Sequence, residues 1–170
     1  MAGTARLAAV AAGIAIVVAL AWPVPGFAQH PDKPTVSPAE IVRLAPDLVV
    51  ERVEFQFVKP LTNARGGKCD LFNVVPTIAN QGHAPARKFK VLLERNQGPG
   101  GAFVQPCPLC YWEVPGGLEA DRKLTLEARQ FNDCDLPSSF RVTGDSGRTV
   151  TESNERNNAK VATYRPRGAR

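Results

Sequence analysis

The sequence predicts an all-β fold, a β-sandwich, and three observations predict it. Short runs in which apolar and polar residues alternate recur from Asp47 to Tyr164, the period of a strand with one buried face. Turn residues separate the runs: Gly 14 and Pro 15 make up about a sixth of the chain, against the usual 12% or so. No segment carries a convincing helical period. About seven short strands punctuated by turns argue a sandwich.

Residues 1–28 read as a cleavable signal peptide. Arg6 is the one charge there, and Leu7 to Trp22 is apolar or small throughout. Pro23 and Pro25 break the run, and Gly26-Phe27-Ala28 places small residues at −3 and −1 before Gln29, so cleavage is expected after Ala28. The apolar run, about 16 residues, falls short of the roughly 20 that cross a bilayer, and no membrane span is expected after cleavage. No cysteine near its end marks a lipid anchor, and no arginine pair precedes it. The expected location is periplasmic or extracellular (secreted). Residues 29–45, with Pro31, Pro34 and Pro38, hold too little to bury and read as a flexible leader with one helical turn at Pro38–Leu44.

Leu48-Val49-Val50 opens the first strand. Val53, Phe55 and Phe57 continue it in alternation with Arg52, Glu54 and Gln56. The apolar phase slips between Val50 and Val53, which a β-bulge or a change of sheet absorbs. Phe72, Val74 and Ile78 make the second strand. Pro76 inside it cannot donate to a ladder, so an edge or a bulge is expected there. Asn80-Gln81-Gly82 is a turn, and Phe89, Val91 and Leu93 form the third strand. Two weaker strands, 102–104 and 111–114, flank Cys107-Pro108-Leu109-Cys110. Alternation at Leu124, Leu126 and Ala128 predicts a strand over 123–128. Phe140 and Val142 mark another, and 159–164 the last. Asp145-Ser146-Gly147 is a turn.

The net charge of +5 on 170 residues is only a bias towards acidic partners. Part of it sits in the basic tail, 165–170, expected to be solvated. No nucleic-acid motif is present. Four cysteines in an exported chain point to two disulfides, and four allow three pairings.

Three segments carry a family resemblance: Pro46-Asp47-Leu48-Val49-Val50, Ile78-Ala79-Asn80-Gln81-Gly82 with Ala84 and Pro85, and Glu152-Ser153-Asn154-Glu155-Arg156-Asn157-Asn158. Together they resemble the CARDB domain, the cell adhesion related domain found in bacteria, over roughly residues 46–164. The resemblance implies a seven-stranded, immunoglobulin-like sandwich that spaces or binds and does not catalyse. It says nothing of the four cysteines or of the segment around Cys107–Cys110. In such a sandwich the second and fifth strands are antiparallel neighbours. That implies a Cys69–Cys134 bridge and leaves Cys107–Cys110 to staple their own loop.

Candidate sites follow. Glu152, Asn154, Glu155, Asn157 and Asn158 offer oxygen ligands for calcium, but asparagines in such a run serve turns first, and a structural turn with Asn80 and Gly82 is the favoured reading. Cys107 and Cys110 have the spacing of a thiol–disulfide exchange pair, but flanks of loop and strand lack the helix that activates such thiols. Zinc held by the four thiolates is disfavoured with one C-x-x-C. His30 and His83 have no partner at triad or metal spacing, and no serine lies in a Gly-x-Ser-x-Gly setting. No cofactor is expected. Phe103, Tyr111 and Trp112 form the candidate binding surface, an exposed aromatic patch beside the cysteine loop; the competing reading places these aromatics in the core. The expected function is a non-catalytic binding or adhesion-type module of the bacterial cell envelope, its partner an envelope protein or glycan. The alternatives are thiol–disulfide exchange at Cys107/Cys110 and a purely structural envelope role.

Overall fold

The computed structural model describes residues 37, 39–40, 44–98, 100–134 and 136–167. The segment read as a signal peptide, most of the leader and the end of the basic tail lie outside the described residues. Ala39 and Glu40 are helical, and the Leu44 amide donates to the Glu40 carbonyl at 3.1 Å.

Eight strands follow: β1 Leu48–Thr62, β2 Lys68–Asn80, β3 Phe89–Gln97, β4 Tyr111–Val114, β5 Lys123–Thr125, β6 Arg129–Cys134, β7 Ser138–Thr143 and β8 Ala159–Tyr164. They build two antiparallel sheets. In one, β2 is central, with β1 on one side and both β5 and β6 on the other. The second runs β4-β3-β7-β8. The expected all-β, immunoglobulin-like sandwich is therefore observed.

Where strand alternation is regular, burial follows it: β7 alternates buried and half-buried residues along its whole length. Leu48, Val50, Phe72, Val74 and Ile78 of the first sheet meet Phe89, Val91, Leu93, Phe140 and Val142 of the second. Phe72 and Tyr164 stack at 3.7 Å between ring centroids, with Phe55 and Phe140 packed edge-on or tilted around them. The phase slip in β1 is a bulge: register shifts between Val50 and Arg52, and again between Phe57 and Lys59.

Two expectations are corrected. Residues 102–104 are not a strand, since Val104 makes only an isolated bridge to Arg95. Residues 123–128 are not one strand either. β5 pairs with Thr77–Ala79 and β6 with Cys69–Val74, and the chain leaves the ladder between them. Pro76 is the physical reason. Its carbonyl accepts from Leu126 N at 2.9 Å, so its missing N–H faces the same neighbour. A continuous ladder would need that donor. β5 and β6 are one strand interrupted opposite a proline; among the described residues 102–104 is lost from the expected strands and Arg129–Cys134, which the sequence pattern did not mark, is gained.

Candidate functional site

The three motif segments, far apart in sequence, meet at the end of the sandwich where β1 begins. The Asn80 side chain lies in the middle of them. Its Oδ1 accepts from Asp47 N at 3.0 Å and Gly82 N at 3.1 Å, while its Nδ2 donates to Ala84 O and Leu118 O. All four of its bonding sites are used, as a buried amide requires. Gly82 has no room for a side chain: a Cβ there would lie 2.4 Å from Ala45 O and 2.5 Å from Asp47 N.

The Glu152 carboxylate accepts from Leu48 N and, at 2.6 Å, from Asn158 Nδ2. Glu155 accepts from Glu152 N, Asn154 Oδ1 from Arg156 N, and Asn157 Nδ2 donates to Asp47. These groups are occupied with tying the β7–β8 connection to the start of β1. Burial raises the Glu152 carboxyl to about 7, against the two donors that favour its ionised form, and Glu155 and Asp145 add to the rise. Asp145, at φ 39°, accepts from Thr149 N and Val150 N and shapes the neighbouring turn.

The other end of the core is also closed by polar groups. Asp70 and Asp133 face each other across β2 and β6, beside Cys69 and Cys134, which are joined with Cα atoms 4.0 Å apart. Asp70 accepts from Tyr164 Oη and Arg167 N, both at 2.8 Å. Asp133 pairs with Arg95 and accepts from Ser138 Oγ. Burial and the Asp70 carboxylate raise the Tyr164 phenol to about 12.

Cys107 and Cys110 are joined to each other. Cys110 is wholly buried, and the chain runs from it straight into β4 rather than into a helix. The helix N-terminus that lowers a thiol pKa in exchange proteins is absent among the described residues. The cysteines form two separate pairs, so a common zinc site through all four is not built. Among the described residues, no three His, Cys, Asp or Glu side chains gather as a metal set.

The candidate aromatic surface is divided. Tyr111 and Trp112 are adjacent on β4 and so point to opposite faces. Trp112 is 5% exposed and belongs to the core, which corrects its expected exposure: β4 turns even-numbered residues inward against the facing sheet. Tyr111 and Phe103 are half-buried. The Lys90 amine lies 5.4 Å from the Tyr111 ring, and the Arg141 guanidinium 4.7 Å from that of Phe103. Arg141 is itself forked onto Glu94 at 2.7 and 2.8 Å, which holds its pKa above the usual value.

Tyr111 and Trp112 both also line a groove of about 560 Å³, whose opposite wall the sequence did not disclose. The groove runs between β4 and the interrupted β5–β6 edge. Leu124, Leu126, Val114 and Pro115 supply its apolar lining, and Leu109, Glu113, Glu127 and Arg129 also border it. Trp112 Nε1 donates to Glu127 O at 2.9 Å, across the break in the strand. The Arg129 guanidinium packs 5.4 Å from the Trp112 ring and reaches Tyr111 O at 3.4 Å. Its Nε is buried with no hydrogen-bond partner among the described residues. Pro76 is the sequence signal for this groove, because it interrupts the strand that would otherwise close the sheet edge.

The fold and its polar closures define a class first: a two-sheet, antiparallel, immunoglobulin-like module. The sequence model of the CARDB family matches residues 45–162, and the chain belongs to that family, a non-catalytic, binding-type and adhesion-related one. Among solved structures, a CARDB domain from Pyrococcus furiosus, described as in complex with di-metal ions, is similar. It is 23% identical, with a TM-score of 0.44, over 70% of this chain and 86% of that one. No curated protein matches. Among the described residues, no helix is long and apolar enough to cross a membrane.

Proposed function

We propose that this protein is an exported, non-catalytic binding module of the bacterial cell envelope, and that the groove between β4 and the β5–β6 edge is where it holds its partner, an envelope protein or glycan. The groove carries this reading. Its volume of about 560 Å³ lies in the range of ligand clefts. An indole, a guanidinium and a short apolar strip border it, a composition enriched at binding hot spots. β4 is also an edge strand, so an extended chain can lie beside it. The N-terminal pattern and the paired cysteines support export to an oxidising compartment, periplasmic or extracellular.

Photo-crosslinking tests the site. A crosslinking residue at Leu109 or Glu127, both exposed on the rim, should capture a discrete partner from envelope extract. The same residue at Arg122, near the start of β5 and outside the groove lining, should not. Identical patterns from rim and control positions would remove the groove from consideration.

A further inference from the structure

We propose a second surface, separate from the groove: the end of the sandwich at the β1–β2 turn docks onto an anionic phospholipid bilayer. Two segments without carboxylates carry the charge. Residues 55–69 contain Lys59, Arg65 and Lys68 and no Asp or Glu. Residues 161–167 contain Arg165 and Arg167, again with none. They are about a hundred residues apart in sequence, and folding joins them. Arg167 lays its guanidinium 3.6 Å from the Phe57 ring and donates its backbone N–H to Asp70, while Tyr164 bonds the same carboxylate. These contacts hold the start of the C-terminal tail against the far half of the β1–β2 hairpin. Lys59, Arg65, Lys68, Arg165 and Arg167 are all exposed there. Asp70 and Asp133, at the same end, are buried and bonded inward. Asp135, in the β6–β7 connection, lies outside the described residues.

Exposed apolar side chains accompany the cations. Val58, the extra residue of the second β1 bulge, is 44% exposed, and Leu136 in the β6–β7 connection is 62% exposed. Val104, bridged to Arg95 near the same end of β3, is 60% exposed. A bilayer suits this mixture. Its headgroup charge attracts the lysines and arginines, and its acyl boundary accepts the valines and leucine. A soluble polyanion offers only the first. The opposite end of the molecule presents both signs, with Glu119, Asp121 and Glu155 exposed alongside Arg87, Arg122 and Arg156. Binding through net charge alone would not distinguish the two ends.

The test is co-sedimentation of the exported protein with vesicles of phosphatidylcholine, with and without about a third phosphatidylglycerol. Each cation near such a surface is worth about a five-fold gain in partitioning. Lys59→Glu with Arg65→Glu should therefore lower binding to the anionic vesicles at least ten-fold. Arg87→Glu with Arg122→Glu, the same charge change at the opposite end, should leave it within two-fold. Leu136→Ser should weaken binding in high salt, where the charge component is screened. Retention of residues 7–22 would give binding that neither needs phosphatidylglycerol nor responds to these variants. The proposal is overturned if the anionic vesicles bind no better than neutral ones. It is also overturned if both double variants weaken binding equally, or if polyphosphate is bound as tightly as the vesicles and Leu136→Ser changes nothing.

Discussion

Single side chains decide how the ends of this sandwich are closed. Glu152 is the clearest case. It is 6% exposed, and burial lifts its carboxyl to about 7, with Glu155 and Asp145 adding to the rise. The folded state therefore keeps a proton that the unfolded chain releases between about pH 4.5 and 7. Stability contributed by this group is present at low pH, falls as pH rises through that window, and is level above it. The full difference is roughly 3 kcal/mol at most. Urea unfolding at pH 5 and pH 8 should show the native protein weaker at pH 8. Glu152→Gln should be weaker than native at pH 5, because its amide places N–H groups against donors, but should lose little more by pH 8. An unchanged pH slope in the variant would remove Glu152 as its source. Gly82 is the steric counterpart. Its hydrogen leaves space for the Ala45–Asp47 backbone to pass, which explains a glycine there without appeal to its flexibility.

Among the elements, β2 governs the rest. It is the central strand of its sheet, and Pro76 within it interrupts the neighbour on one side while leaving the pairing with β1 continuous through Val53. The interruption takes residues 126–128 out of the regular ladder, with Leu126 N still bonded to Pro76 O, and lets Trp112 bond to Glu127 O across it. The two cysteine pairs act at different ranges. Cys69–Cys134 spans 65 residues and ties β2 to β6, whereas Cys107–Cys110 spans 3. The chain-entropy account then gives about 4 kcal/mol for the first and under 2 for the second. Double alanine replacement of each pair, measured by thermal unfolding, should lower the midpoint at least twice as far for Cys69/Cys134. The reverse order would mean that the short bridge supports more structure than its own loop.

At the scale of the molecule, one core is closed at both ends by bonded polar groups, with a groove along one side and a basic face at one end. Such a layout suits a module that is held at one surface and contacts another. Export bears on both proposals. The mature chain should begin at Gln29 and carry no free thiol, and intact-mass measurement before and after alkylation checks both. Reactive thiols in material recovered after export would undo the compartment reading.

Much of the fold was legible in the residues. Two-residue alternation located β1, β2, β3 and β7, and its slip at Val50–Val53 marked where a bulge or a change of sheet was needed, because strand periodicity is a local property of the chain. The motif segments were legible as family features, though not as one bonded cluster. Of the groove, only Tyr111 and Trp112 were legible; its opposite wall was not. Tyr111 and Trp112 must face opposite ways by pleat alone, but which one faces the core depends on which sheet lies opposite β4. Pro76 declared a missing donor, and only the pairing of β2 revealed that the missing bond would have gone to residues 126–128. Likewise, residues 55–69 and 161–167 each lack acids in the sequence, but only tertiary structure brings them together. The sequence by itself determined most of the strands, the slip in β1 and the family resemblance, since these follow from neighbours along the chain. The site and the basic face were decided by contacts between residues tens to a hundred positions apart, which local periodicity cannot encode.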